Sequence, residues 1–364
     1  MLVNGKQYET IWHDAEADDI KVINQQKLPF SFEIQSLKTV DDAFYAIKNM
    51  IVRGAPLIGV TAAYGFYLAI KNCREITQNY IAETAKYLIS ARPTAVNLEY
   101  AIEKIKVAVL NNFGQTDISA LTLKIANKIK QKEIENSSLI GDYGLTLIEN
   151  LYKKHNRRIN ILTHCNAGWL ACVDWGTALA PVYKAHFKGI DVHVWVDETR
   201  PRNQGAKLTA WELKSAGIPY TVIPDNTGGH LMQHKQVDLV IVGSDRTTRS
   251  GDVANKIGTY LKALAAKDNN IPFYVALPLS SIDFNISDGL SQIVIEQRDA
   301  DEILKTDCLI NNNIHKGYIM HKDTNVLNYG FDVTPARLVS GLITEKGICG
   351  ANKKEIKKLW TKVI

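Results

Sequence analysis

The sequence predicts an α/β protein in two parts. A mainly helical domain with a small antiparallel sheet spans residues 1–135, and a domain built on a parallel sheet spans residues 136–364. Three observations predict it. Short segments near the N-terminus have strand character. Five successive segments between residues 39 and 136 repeat apolar residues every three to four positions. Beyond residue 155, short apolar runs alternate with helical stretches. That alternation implies right-handed crossovers and a parallel sheet covered by helices on both faces.

Taken in order, QYETIW follows a turn at Asn4-Gly5 and, with IKVINQQ and FSFEIQ, makes the small sheet. VDDAFYAIKNMIV, LIGVTAAYGFYLAIKN, ITQNYIAETAKYLIS, NLEYAIEKIKVAVLNN and LTLKIANKIKQKEIEN read as helices. A connecting helical region follows, with the domain boundary near Glu135. Ile159–Thr163 reads as a strand, 173–186 as a helix, 192–196 as a strand and 207–216 as a helix. Tyr220–Ile223, Leu239–Val242 and Phe273–Ala276 are further strands. A helix is expected from Val253, with Val253, Ile257, Leu261 and Leu264 on its apolar face. FDVTPARLVSGLITEKGI is expected to turn, enter a helix near Pro335 and end at Gly347. The basic tail NKKEIKKLWTKVI reads as a helix packed through Leu359, Trp360 and Val363.

Composition narrows the function classes. The chain is 46% hydrophobic and 22% charged, ordinary values for a soluble globular protein. No segment approaches the ~18 apolar residues of a membrane span. MLVNGKQYETIWHD has no basic segment followed by an apolar one, so no secretory signal is expected and a cytoplasmic location is. Five scattered cysteines without a CxxC pair argue against a disulfide framework or a zinc ribbon. The net charge of +5 suits an anionic small molecule without demanding nucleic acid. No GxGxxG follows the first strand, so a dinucleotide cofactor is not expected.

The chemistry gathers at the strand ends, which share one edge of a parallel sheet. They carry His164-Cys165-Asn166, then Asp197 to Pro201 with Asn203-Gln204-Gly205, then Asp225 to His230, then Ser244-Asp245-Arg246, then Pro278 to Asp283. Cys165 is the candidate reactive thiol, because backbone N–H donors in a Gly-containing turn lower a thiol pKa. The alternative is a buried small hydrophobe. Asp245 is the candidate acid, against a loop or capping role. Arg53-Gly54-Ala55-Pro56, with a helix start behind it, is a phosphate-site candidate. Arg92-Pro93-Thr94 also precedes a helix, and Asn255 and Lys256 lie near Asp245 in sequence. A zinc site from His164, Cys165 and His230 has poor ligand spacing.

RGAPLIGV, THCNAG, ETRPRNQGAKLTAWEL, VGSDRTTRSGDVANKIGTYLKALAA with IPFYVALP, and FDVTPARLVSGLITEKG closely resemble the methylthioribose-1-phosphate isomerase family. That family is related to the regulatory subunits of the eukaryotic translation-initiation guanine-nucleotide exchange factor. The matches run in the family's order from about residue 50 to 350. The resemblance implies a Rossmann-like catalytic domain behind a helical one, in a homodimer without metal or cofactor. It implies interconversion of 5-methylthioribose 1-phosphate, a small sugar phosphate, and 5-methylthioribulose 1-phosphate in methionine salvage. It carries the catalytic roles onto Cys165 and Asp245. Ligand binding falls on Arg53, Gly54, Ala55, Arg92, Gln204, Asn255 and Lys256. DNTGGHLM and LNYGFDVTP depart from the family's usual pattern and put the 5-substituent preference in question. Isomerisation of another 1-phosphosugar, or non-catalytic sugar-phosphate sensing, are the competing functions. The presence of both Cys165 and Asp245 favours an enzyme.

Overall fold

A computed structural model describes residues 1–93, 95–114 and 117–361. Thr94 of the Arg92-Pro93-Thr94 motif and Val363 of the tail lie outside the described residues.

Asn4 and Gly5 both take positive φ, 49° and 80°, and turn the chain between Leu2–Val3 and Lys6–Gln7. Two-residue hairpins favour that conformation because its twist matches the strands. Ile11–Asp14, Asp19–Ile23 and Ile34–Leu37 form the small antiparallel sheet. Thr39 and Asp42 make a capping box that starts the helix Val40–Lys48. The helix Ala55–Asn72 is buried at every position from Pro56 to Ile70, as its nearly all-apolar sequence requires. Gln78–Ser90, Val96–Asn111 and part of Ile118–His155 surround it. The last of these is one helix of 38 residues, and residue 135 lies inside it. No described helix is long and apolar enough to cross a membrane.

Seven strands form the main sheet, in the order Gly347–Cys349, Gly341–Thr344, Phe273–Ala276, Leu239–Val242, Ile159–Thr163, Val192–Asp197, Tyr220–Ile223. All pairs are parallel except the first. From Ile159–Thr163 the chain adds strands in one direction, then returns to add Leu239–Val242 on its other side. That reversal is a topological switch point, where a crevice opens beyond the strand carboxyl ends.

Three expectations fail. Val253–Lys256 is a strand, paired with Arg246–Thr248 on one side and Phe331–Thr334 on the other. The helix begins only at Thr259, because Gly258 at φ 102° breaks the chain first, and Leu261 is exposed. The helix expected over 173–186 is Ala180–Phe187 alone, since Trp175 and Gly176 take positive φ. The helix expected after Pro335 is a short 3₁₀ turn, Ala336–Leu338, followed by Gly341–Thr344 and Gly347–Cys349 as strands. There the spaced leucines and isoleucines fill a buried strand pair instead of a helix face. The tail helix is Lys353–Thr361, with Leu359 buried and Trp360 4.3 Å from the Phe284 ring.

Candidate active site

Ile159–Thr163 and Leu239–Val242 flank the switch point, and each delivers one candidate group beyond its end. Cys165 stands two residues past the first, at φ 65° and almost fully buried. Its N–H donates to the Thr199 hydroxyl at 2.8 Å, and its thiol donates to Gln204 Oε1 at 3.3 Å. Burial pushes the thiol pKa up; Arg53, Lys256 and the Asn166 N–H pull against it without prevailing. The expected lowering by backbone donors is therefore reversed, because desolvation of the anion outweighs it.

Asp245 stands three residues past Leu239–Val242, half-buried, with its N–H bonded to the Ala254 carbonyl at 3.0 Å. Burial raises its carboxyl, against the charges of Lys256, Arg92 and Arg53. It faces a pocket walled by Ile58, Ala254, Ile293, Val294 and Phe331, with Ala55 and Arg92 on the wall as well. Arg92 also lies 3.5 Å from Glu296.

Lys256 and Asn255 come from the strand Val253–Lys256 of the second sheet. The Lys256 ammonium is buried 5.0 Å over the Phe331 ring and has no carboxylate partner among the described residues. Burial lowers its pKa, while the charges of Cys165 and Asp245 oppose that. Asn255 is held by its bond to the Thr259 hydroxyl at 3.1 Å.

The 53–55 loop reaches the same region from the N-terminal half. Arg53 is buried and donates to Asn166 Oδ1 and, at 2.9 Å, to the Asn166 carbonyl. It too has no carboxylate partner among the described residues. With Gln204 it lines a second, larger cleft. Gly54 takes φ 102°, and a side chain there would meet Ala171 at 2.3–2.6 Å. The glycine thus seats this loop on the 168–171 turn. Ala55 opens a helix whose Gly54 cap supplies no side-chain bond, so the first-turn N–H groups of Ala55 and Leu57 gain no partner from the cap, and Pro56 has none to satisfy. Asp245, Arg92 and Ala55 therefore share one pocket, Arg53 and Gln204 share the other cleft, and the charges of Arg53 and Lys256 bear on both Cys165 and Asp245.

Of the groups behind the site, sequence reasoning named His164 only as a zinc candidate and missed Glu212. His164 is buried with Nδ1 2.8 Å from Asp197 and Nε2 2.8 Å from the Ile257 carbonyl. Both nitrogens are occupied, so it supplies no lone pair to the zinc candidate, and His230 is exposed against His234. His164, Asp197 and Asp225 offer ligand atoms within 4.8 Å of one another. The Lys262 ammonium already serves as their cation, 3.2 Å from Asp197 and bonded to the Asp225 carbonyl. Glu212 is a second buried group, bonded to Asn166 at 3.0 Å. Its place among apolar neighbours in AWEL was the signal available.

Residues 51–351 match the Initiation factor 2 subunit family. The chain is 53% identical to a methylthioribose-1-phosphate isomerase of Desulfatibacillum aliphaticivorans, over 99% of each chain. It is 51% identical to one from Methylorubrum extorquens, over 99% of this chain and 98% of the other. Among solved structures, 5-methylthioribose 1-phosphate isomerase from Pyrococcus horikoshii OT3 is similar with a TM-score of 0.85 at 36% identity, covering 98% of this chain and 97% of that one. The translation initiation factor eIF-2B subunit delta from A. fulgidus gives 0.79 at 37% identity, covering 98% and 100%.

Proposed function

The chain belongs to the methylthioribose-1-phosphate isomerases of the initiation factor 2 subunit family, and from that premise we propose how it converts 5-methylthioribose 1-phosphate to 5-methylthioribulose 1-phosphate in methionine salvage. One observation carries the assignment of residues. Two groups that burial pushes toward their protonated forms, the buried Cys165 and the half-buried Asp245, flank the switch point beside two buried cations, Arg53 and Lys256, that have no carboxylate partner among the described residues. A phosphorylated anion supplies the missing negative charge. The first-turn Ala55 N–H and the Arg92 guanidinium add to its binding. Asn255 and Gln204 position the sugar.

A sugar phosphorylated on its anomeric oxygen cannot open its ring by losing an anomeric proton. Asp245, whose protonated form burial favours, gives its proton to the ring oxygen as the bond from C1 to that oxygen breaks. Hydrogen then moves from C2 to C1, and O2 becomes the ketone oxygen as its proton passes to the Asp245 carboxylate, which restores the acid. Cys165 assists that transfer. As a thiolate it would take the C2 proton and return it to C1 through an enediol. In a hydride shift the C2 hydrogen passes directly to C1, and the thiol helps exclude water.

The apolar wall of Ile58, Ala254, Ile293, Val294 and Phe331 suits an uncharged methylthio group. Of the four arginines that could instead receive a 5-phosphate, Arg246 is engaged with Asp283, Arg202 with Glu302 and Arg200 with the Ile303 carbonyl, while Arg249 reaches only the Phe284 carbonyl at 3.5 Å. The two halves divide the work, residues 1–135 bringing Arg53, Gly54, Ala55 and Arg92, and residues 136–364 the rest. A cytoplasmic homodimer completes the proposal.

The test compares kcat/KM for 5-methylthioribose 1-phosphate, 5-deoxyribose 1-phosphate and ribose 1,5-bisphosphate. The expected order is a clear preference for the methylthio sugar over the bisphosphate and a modest one over the deoxy sugar, since losing a small apolar group costs only ~1–3 kcal/mol. Equal or better use of the bisphosphate overturns the substrate assignment. Binding without turnover of any of them favours a sensing subunit.

A further inference from the structure

We propose that Glu212 is a positioning residue: acting through Asn166, it aims the Arg53 guanidinium at the substrate phosphate while leaving the charge of Arg53 unneutralised. The inference rests on the reading of Arg53 as a phosphate ligand.

Glu212 lies in the short helix Ala210–Ser215 and is fully buried. Four neutral donors converge on it. Oε1 accepts from Asn166 Nδ2 at 3.0 Å and from the Leu170 N–H at 2.9 Å. Oε2 accepts from the Trp169 N–H at 3.1 Å and the Tyr183 hydroxyl at 2.6 Å. No Lys or Arg lies within ion-pair distance among the described residues. Gly168 makes the room, since a Cβ there would sit 1.6 Å from Oε2. Burial pushes this carboxyl up, while Tyr183, Asn166 and the Leu170 N–H pull it down; the donors that face both of its oxygens hold it as an acceptor.

The consequence falls on Asn166. An amide has a donating end and an accepting end, and which way it points is set by its partners. Glu212 and the Thr209 hydroxyl take the Nδ2 end, the latter at 3.1 Å. Oδ1 must then face the other way, where it accepts from Arg53. A flipped amide would set its N–H groups against the Arg53 N–H groups and leave its oxygen against a carboxylate. Glu212 forbids that flip. The choice of an amide matters as much as its direction. An aspartate at 166 would hold Arg53 in the same place but pair with its charge. The amide fixes the guanidinium and leaves its charge for the phosphate, across a chain of contacts linking residues 53, 166 and 212.

Glu212→Gln tests this, because a glutamine can accept on one side only and turns its NH2 toward donors. The variant is expected to raise KM about tenfold or more, the worth of one charge-assisted hydrogen bond, and to weaken inorganic phosphate binding in calorimetry to match. The double variant Asn166→Asp, Glu212→Gln separates position from mere packing. In it the introduced glutamine can donate to the introduced aspartate, so Tm should recover part of what Glu212→Gln loses. Arg53 is then paired with a carboxylate, so KM and phosphate affinity should stay impaired. Recovery of KM together with Tm overturns the inference, as does a folded Glu212→Gln protein with wild-type KM and phosphate affinity. If Glu212→Gln does not fold, the double variant alone decides. The phosphate titration also separates the two readings. Weakened phosphate binding in Glu212→Gln supports the positioning role even if the wild type isomerises none of the sugars, an outcome that would sink the proposed function alone.

Discussion

Glu133→Gln should stabilise the protein, and only above the acid range. Glu133 sits in the long helix Ile118–His155, buried, with Oε2 lacking any hydrogen-bond partner. Burial and the charge of nearby Glu345 push its carboxyl from the ordinary 4.5 to about 7. In the unfolded chain the group ionises at its ordinary value, while the folded protein holds the proton up to about 7. Stability therefore falls as pH rises between those two values. At about 1.4 kcal/mol per pH unit, the full penalty at higher pH reaches up to about 3 kcal/mol. Glutamine never ionises and escapes it. For a chain of this length that corresponds to roughly 4 °C in Tm. Thermal unfolding of both proteins should show the variant ahead by this margin near pH 8 and level near pH 4, below the unfolded value. An equal difference at both pH values would refute the reasoning, since it would place the effect in packing and not in ionisation.

Cys165→Ser and Asp245→Asn should each lower kcat at least about a hundredfold with smaller effects on ligand affinity. Near-normal turnover in either removes that residue from the mechanism. The activity of the wild type should also decline as pH rises through the raised pKa of Asp245, where the acid is lost. Any activity left in Asp245→Asn should lack that decline, and its persistence would assign the decline to another group. Arg53→Ala and Lys256→Met should each raise KM about tenfold or more, because each removes a buried cation from the phosphate. Steady-state kinetics on the two variants checks this, and a ligand-bound structure with the phosphate far from residue 53 would reject it.

The sequence made the central sheet legible where strands are buried on both faces. Ile159–Thr163 and Leu239–Val242 are apolar runs bounded by polar turns, a pattern with few other readings. Gly341–Thr344 was not legible, because leucines and isoleucines spaced for a helix serve equally well in a short strand once a neighbour such as Phe273–Ala276 pairs with it. Val253–Lys256 was missed for the same reason. Its pairing partners lie in a second sheet that includes residues nearly 80 positions away. The positions of Cys165 and Asp245 could be read from strand ends. Their protonation could not, because it depends on how thoroughly the fold removes water, a tertiary property. Asn166 stood in a recognisable motif, yet its work was hidden. Its partners at 53 and 212 are local to nothing in the sequence.

The backbone at Cys165 has an evolutionary consequence. Cys165 at φ 65° and Thr199 at φ 63° both sit in a region that L-residues avoid, and the bond between them keeps them there. Such residues cost of order 1–3 kcal/mol each. Glycine would relieve the cost at 165, and asparagine would reduce it. If Cys165 takes part in the reaction as proposed, selection for stability alone would erode the thiol and selection for turnover would hold it in place. A descendant recruited to bind sugar phosphates without transforming them would shed the cysteine and become sturdier in the same step. On the proposed mechanism, a cysteine at this position therefore trades stability for turnover.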